Sequence, residues 1–208
     1  AATPAEAVAT IRSLLGDARR VAKSKTMVGE EVGLTHALRA AGIDVLETDI
    51  GEYIVDIEGR GPSHITAPAL HLNRARIKEM LDRTGANLPD DDPTRLSRYV
   101  RDVVATFFKD CDAAITGANA LIAESGRIVI VENEGNVSLG ASHPALHIVI
   151  TGIEKVVADE AAALEGRDAD RGTRAAFDDF AEGTGGGLTA SELQHGGADG
   201  ERQLGSRT

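Results

Sequence analysis

IDVLETDIGEYIVDI, residues 43 to 57, decides the fold class. Its first five residues, Ile43 to Glu47, make the short apolar run of a buried strand. The remainder has the β-branched composition of a second strand, yet Ile50, Tyr53, Ile54 and Ile57 recur at helical spacing. Asp49 and Glu52 stand three apart at its start, the pattern of a capping box. A buried strand running into an amphipathic helix is the repeating unit of an α/β protein.

The same grammar extends in both directions. Thr3 and Pro4 open a helix along which Val8, Ile11, Leu14 and Leu15 keep helical spacing. A second helix is expected from about Gly29 to Ala41, with Gly42 as its stop. Pro62 to Pro68 reads as an edge or entry strand, because its two prolines remove ladder donors. Asn73 can cap a helix carrying Ile77, Met80 and Leu81 that Gly85 ends, and Asp92 and Pro93 start a long one with Leu96, Val100, Val103, Val104 and Phe107 on one face. Strands are expected at 113–116, 127–132 and 146–151, the last two close enough in sequence to pair. Residues 153–164 begin as a loop and end helical. The expected fold is an open, mostly parallel α/β sheet with helices on both faces, one domain over residues 1–188, followed by a flexible Gly-rich charged tail at 189–208.

Composition narrows the functional classes. Hydrophobic residues make 42% of the 208 and aromatics 3%, so the core is built from Val, Ile, Leu and Ala, as in helices packed on a parallel sheet. With 22 Lys and Arg against 33 Asp and Glu, the formal charge of −11 repels phosphate backbones and anionic membranes, which argues against nucleic-acid and membrane partners. Cys111 is the one cysteine, which excludes an internal disulfide framework and any all-cysteine iron-sulfur or zinc site within this chain. A reduced, cytoplasmic setting is expected. His64 and His71, and His143 and His147, lack the continuous helix that metal geometry needs at their spacing, so no metal site is expected.

The polar strand ends are the candidates for chemistry. IVIVENEGN, residues 128 to 136, runs β-branched residues into Glu132, Asn133, Glu134, Gly135 and Asn136, more polarity than a turn requires. Glu134 can act as a base or nucleophilic carboxylate with the amides as oxyanion donors, or the amides can simply tie adjacent loops together. KSK, residues 23 to 25, is either a solvated charge cluster or an anion site. Glu47, Asp49 and Glu52 lie where ligands bind in open α/β sheets, although Asp49 also suits a helix cap. Thr116, Gly117 and Asn119 form a turn directly after a strand that lacks both the dinucleotide fingerprint and the Walker lysine.

In order, KSK…EEVGL, VLETDIGEYIV, PSHITAPALH, ITGANALIAESG, IVIVENEGN and HIVITGIEK form a set more specific than general α/β grammar. Over roughly residues 20–158 it resembles the lactate utilization protein B/C family, on its B side, whose shared unit is the LUD domain. The resemblance implies a fold like that of ribose-5-phosphate isomerases, glucosamine-6-phosphate deaminases and CoA transferases. It also implies a component of an iron-sulfur complex that oxidises L-lactate to pyruvate, with other lactate utilization proteins as partners and 4Fe-4S clusters in the full-length protein or those partners. No cofactor is expected in this chain. Relative to the family pattern, a strand before the Lys23 region and another after the end of the chain are expected to be missing, as in a domain truncated at both ends or a stand-alone variant with a trimmed sheet.

The candidate ligand-binding set is Lys23, Ser24, Lys25, Glu47, Asp49, Glu52, Ser63, His64, Thr116, Gly117, Asn119, Glu124, Asn133, Glu134, Gly135 and Asn136, with Glu134 and Lys25 as the catalytic candidates. Lys23, Asp49, Asn119 and Glu134 are expected to converge on one cleft that takes a small carboxylate or a partner's face. The rival reading is a stand-alone enzyme with CoA-transferase-like or sugar-phosphate-isomerase-like chemistry, using Glu134 as nucleophile or base.

Overall fold

The computed structural model describes residues 1–59, 69, 71–132 and 135–165. In chain order the elements are α1 (Pro4–Leu15), β1 (Arg20–Lys23), α2 (Met27–Glu31), α3 (Leu34–Ala40), β2 (Asp44–Glu47), α4 (Ile50–Glu58), α5 (Arg74–Arg83), α6 (Pro93–Lys109) and β3 (Ala113–Thr116). Then come β4 (Ala120–Ile122), β5 (Ile128–Val129), α7 (Asn136–Ser142), β6 (Leu146–Val149), a 3-10 turn at Ile153–Lys155, β7 (Val156–Val157) and α8 (Glu160–Glu165).

Four strands form an all-parallel sheet in the order β2-β1-β3-β6. Buried on both faces, β3 is the uninterrupted AAIT that a central parallel strand requires. One face carries Val21, Val45, Ala113, Ile115 and Ile148 against Ile11 and Leu15 of α1 and Leu34 and Leu38 of α3. The other carries Ala22 and Ala114 against Tyr53 of α4, Leu81 of α5 and the apolar stripe of α6. Alanines on this second face let helices approach closely. A Cβ on Gly140 of α7 would meet the Ala114 Cβ at 3.3 Å. The expected open α/β sheet with helices on both faces is therefore the observed one.

Several local expectations are corrected. The helix expected from Gly29 to Ala41 is two helices, broken where Gly33 takes a left-handed φ of 65°. Helix α4 begins at Ile50 with Asp49 at the cap position, but the Asp49 side chain makes no cap hydrogen bond, so the capping box does not form. A strand does precede the Ser24 loop: β1 ends on Lys23 and lies inside the sheet. The segments 127–132 and 146–151 do not pair. Only Ile128–Val129 is strand, and it joins β4 and β7 in a separate three-stranded sheet of order β5-β4-β7. Gly126, at φ 69°, closes the β4–β5 hairpin by donating to the Ile122 carbonyl at 2.8 Å. The strand expected at 62–68 and the tail at 189–208 lie outside the described residues.

Candidate functional site

Chain direction through the parallel sheet creates one topological switch point. From β1 the chain crosses to β2 on one side, and from β3 it reaches β6 on the other. Loops leaving the carboxyl ends of β1 and β3 therefore diverge, and the gap between them is where open α/β sheets bind ligands. A cavity of about 440 Å³ lies there. Its wall includes Ser24, Lys25, Thr26 and Met27 after β1, Asp49 after β2, Gly117, Ala118 and Asn119 after β3, Ile150 and Thr151 after β6, Glu132, Asn136 and Lys155.

Hydrogen bonds between loops hold this rim. The Lys25 backbone N–H donates to Asp49 Oδ2 at 2.5 Å, and Lys25 Nζ lies 2.7 Å from Glu52 Oε1. The acids that suggested a capping box thus join the loop after β1 to the start of α4. Thr48 donates through its N–H and hydroxyl to the Lys23 carbonyl, at 2.8 and 3.2 Å, and its hydroxyl accepts from Asn136 Nδ2 at 3.0 Å. Asn119 Oδ1 accepts from the Val131 N–H at 2.8 Å, and the Thr151 hydroxyl donates to the Ala118 carbonyl at 3.3 Å. Glu132 Oε2 accepts from the N–H groups of Val137 and Ser138, each at 2.9 Å, and Glu132 Oε1 meets the Ser138 hydroxyl. Glu132 thereby satisfies donors of the first turn of α7 that have no partner within the helix.

Glycine sets how closely the loops approach. A Cβ on Gly117 would lie 3.2 Å from Thr26 Cβ and 3.3 Å from its Oγ1, and one on Gly29 would lie 2.6 Å from Thr26 Cγ2. Thr26 fills the space between the two glycines. Its hydroxyl also accepts from the Gly29 N–H at 3.4 Å, capping α2.

Behind the wall lies a buried charge cluster. Lys23 is fully buried at the end of β1, with Nζ 3.1 and 3.0 Å from the two carboxylate oxygens of Glu47 and 3.1 Å from Glu30 Oε1. The Thr35 hydroxyl donates to Glu47 Oε1 at 2.8 Å. Burial pulls the Lys23 pKa down, but Glu47 and Glu30 outweigh it and the pKa rises above its ordinary value. Burial pushes the Glu47 carboxyl up, against the opposing pull of Lys23 and Thr35. These directions favour opposite states of one pair. The bidentate contact, reinforced by Glu30 and Thr35, keeps it ionised. On the opposite side of β3, the Thr116 hydroxyl and His147 Nε2 are 2.8 Å apart, and burial holds the His147 pKa below its ordinary value.

Of the residues singled out in the sequence, Ser24, Lys25, Asp49, Gly117, Asn119 and Asn136 line the cavity. Lys23, Glu47 and Glu52 are buried around it and Thr116 lies beneath it at the end of β3. The Lys23 ammonium is consumed by its two carboxylates and does not join the wall. Glu124 is exposed in the β4–β5 turn, away from the cavity, and Gly135 precedes α7 with φ 75°. Ser63, His64, Asn133 and Glu134 lie outside the described residues. Thr26, Glu132, Thr151 and Lys155 were not singled out as ligand-binding candidates. Thr151 follows the end of β6 closely, as Ser24 follows β1, so the carboxyl-end rule points to it, whereas Lys155 closes the 3-10 turn just before β7 and carries no such local signal.

A four-cysteine iron-sulfur cluster does not fit this chain. Cys111 is its single cysteine, Sγ lies 3.5 Å from the Phe108 carbonyl, and burial raises its pKa, disfavouring the thiolate that a cluster needs. Among the described residues no group of three or more His, Cys, Asp or Glu side chains is placed to hold a metal ion. No helix among them is long and apolar enough to cross a membrane.

A family model for the LUD domain matches residues 1–174. The chain is similar to lactate utilization protein B of Bacillus thuringiensis (strain Al Hakam), with 41% identity over 140 residues, 67% of this chain and 30% of that protein. Lactate utilization protein B 2 of Bacillus mycoides (strain KBAB4) and lactate utilization protein B of Bacillus cereus (strain B4264) match with the same identity and coverage. The chain thus spans about 30% of the length of these relatives. No solved structure matches it. On the family model, which runs through the whole parallel sheet and its switch-point cleft, this chain belongs to the LUD-domain family.

Proposed function

We propose that this chain serves lactate utilization as the LUD-domain component of a cytoplasmic iron-sulfur complex that oxidises L-lactate to pyruvate, and that its cleft holds the small carboxylate. The carrying observation is the cavity of about 440 Å³ at the carboxyl ends of β1, β3 and β6, walled by hydroxyls, two amides, two lysines and three carboxylates, of which Asp49 and Glu132 are engaged by backbone N–H groups. The cavity has room for a small polar acid, and its hydroxyls, amides and Lys155 can hydrogen-bond one. Likeness to proteins named for lactate utilization supports the pathway.

Converting a 2-hydroxy acid to a 2-oxo acid removes two electrons and two protons, one from the hydroxyl and one from carbon. The electrons need a redox centre, which a chain with one cysteine and no dinucleotide fingerprint does not build. The redox centre is therefore assigned to other polypeptide, in the other lactate utilization proteins or in a longer form of this one. Residues here bind and orient the acid. Ser24, Thr26 and Thr151 offer hydroxyls, Asn136 an amide and Lys155 a cation.

The test is lactate-dependent dye reduction by this chain alone, by the chain joined to a cysteine-bearing segment, and by that fusion mixed with the other lactate utilization proteins. Activity is expected only from the complete set. Activity from the isolated chain overturns the accessory role, and failure of the complete set favours a stand-alone transferase or isomerase using Glu134.

A further inference from the structure

We propose that Lys155 is the specificity-determining residue of the cleft, pairing through its ammonium with the carboxylate of a small 2-hydroxy or 2-oxo acid whose α-oxygen faces Ser24 and Thr26. The inference rests on the reading of the cleft as a small-acid site and assigns the group that recognises the acid.

Five charged side chains line the cavity, and three of them, Lys25, Asp49 and Glu132, are already engaged. Asp49 accepts the Lys25 N–H, Lys25 pairs with Glu52, and Glu132 caps the first turn of α7. The Glu154 carboxylate is folded over the Cα of Gly152, where a side chain at that position would collide with it. Lys155 is the one cation of the wall that none of these contacts engages. Among the described residues no carboxylate lies within ion-pair distance of its ammonium, and it is only partly exposed at the cavity wall.

Buried polar groups with spare hydrogen-bonding capacity stand in the same cavity. Ser24 is 4% exposed, yet among the described residues its hydroxyl has no hydrogen-bond partner. Asn136, 6% exposed, spends its amide N–H on Thr48 and leaves Oδ1 unengaged, and the Thr26 hydroxyl accepts from Gly29 while keeping its own proton to donate. Among the described residues no fully buried side-chain oxygen or nitrogen lacks a partner, so these open positions face the solvent of the cavity, where a ligand's polar atoms can replace water. Donors at Ser24 and Thr26 beside a cation at Lys155 match an anionic head with an adjacent oxygen. A neutral analogue satisfies only the donors.

The experiment titrates the 208-residue chain with L-lactate, pyruvate and the neutral analogue lactamide, following backbone amide chemical shifts, for the unsubstituted protein, K155M and K155R. The expected result is saturable binding of lactate and pyruvate with shifts at Ser24 and Thr151, about ten- to a hundredfold weaker in K155M and partly restored in K155R. Lactamide should bind the unsubstituted chain as weakly as lactate binds K155M. Equal lactate affinity in the unsubstituted chain and K155M overturns the Lys155 assignment and leaves the small-acid reading standing. No binding of either acid to the unsubstituted chain overturns both. Should K155M fail to fold, the comparison of lactate with lactamide on the unsubstituted chain decides: equal affinity removes the role of charge and with it the proposal.

Discussion

Lys23 and Glu47 are register partners on the neighbouring strands β1 and β2, and the Lys23 ammonium sits 3.0 and 3.1 Å from the two Glu47 carboxylate oxygens. Glu30 completes the cluster from α2, but its side chain is 44% exposed, whereas that of Glu47 is 6% exposed. Burial therefore ranks two substitutions that remove the same charge. Glu47→Gln leaves a buried ammonium short of its main counter-ion and should cost about 3 kcal/mol or more. Glu30→Gln should cost under about 1 kcal/mol, because solvent screens the pair it removes. Urea unfolding of both variants measures the difference, and equal losses would refute the ranking.

Thr26 and Gly29 give a test of close approach. An added Cβ at Gly29 would lie 2.6 Å from Thr26 Cγ2, so Gly29→Ala should destabilise by about 1–3 kcal/mol even though alanine is the better helix former. Thr26→Ser deletes that methyl while keeping the hydroxyl that caps Gly29. In the T26S background Gly29→Ala should become neutral or stabilising. A cost unchanged by T26S would mean that the methyl contact is not what selects glycine.

His147 makes stability depend on pH with a definite sign. Burial depresses its folded pKa below that of the unfolded chain, ordinarily about 6.5, so between the two values the unfolded state binds more protons. Stability contributed by the neutral ring is present above pH 6.5 and is lost as pH falls through the folded pKa. His147→Gln removes the titration while keeping a polar partner for the Thr116 hydroxyl. Thermal unfolding of the two proteins from pH 8 to pH 5 should show the native chain losing ground to H147Q on acidification. Parallel curves would exclude a depressed His147.

Elements whose signals are local were legible in the sequence. Thr3, Asn73 and Asp92 each cap the helix that spacing assigns to them, accepting from Glu6, Arg76 and Arg95. Apolar AAIT is the central strand β3. What misled was non-local. Asp49 and Glu52 have capping-box spacing, but across the sheet Lys25 offers them an N–H and an ammonium, and those contacts win. RVAK did not read as a strand because its flanking Arg and Lys are charged, although the lysine is neutralised by acids 7 and 24 residues away. Gly33 looked compatible with a continuous helix, since sequence spacing does not reveal a left-handed φ. Three-residue β4 and two-residue β5 are too short to carry a period of two.

The polarity at the end of IVIVENEGN has a structural component that can be separated from any chemistry. Glu132 spends its carboxylate on the N–H groups of Val137 and Ser138 and on the Ser138 hydroxyl, so the loop's first acid is the cap of α7. Asn136, from the first turn of that helix, reaches Thr48 and joins α7 to the end of β2. The helix is only seven residues long and depends on such external partners. Glu132→Ala should cost about 1 kcal/mol and accelerate hydrogen exchange at the Val137 and Ser138 amides, with Glu132→Gln intermediate because its carbonyl still accepts. The Asn119–Val131 contact should be unaffected, so the Val131 amide serves as an internal control. If exchange at Val137 and Ser138 is unchanged in E132A, the cap is not what holds α7, and the Glu132 carboxylate becomes available for ligand chemistry in the cleft it lines.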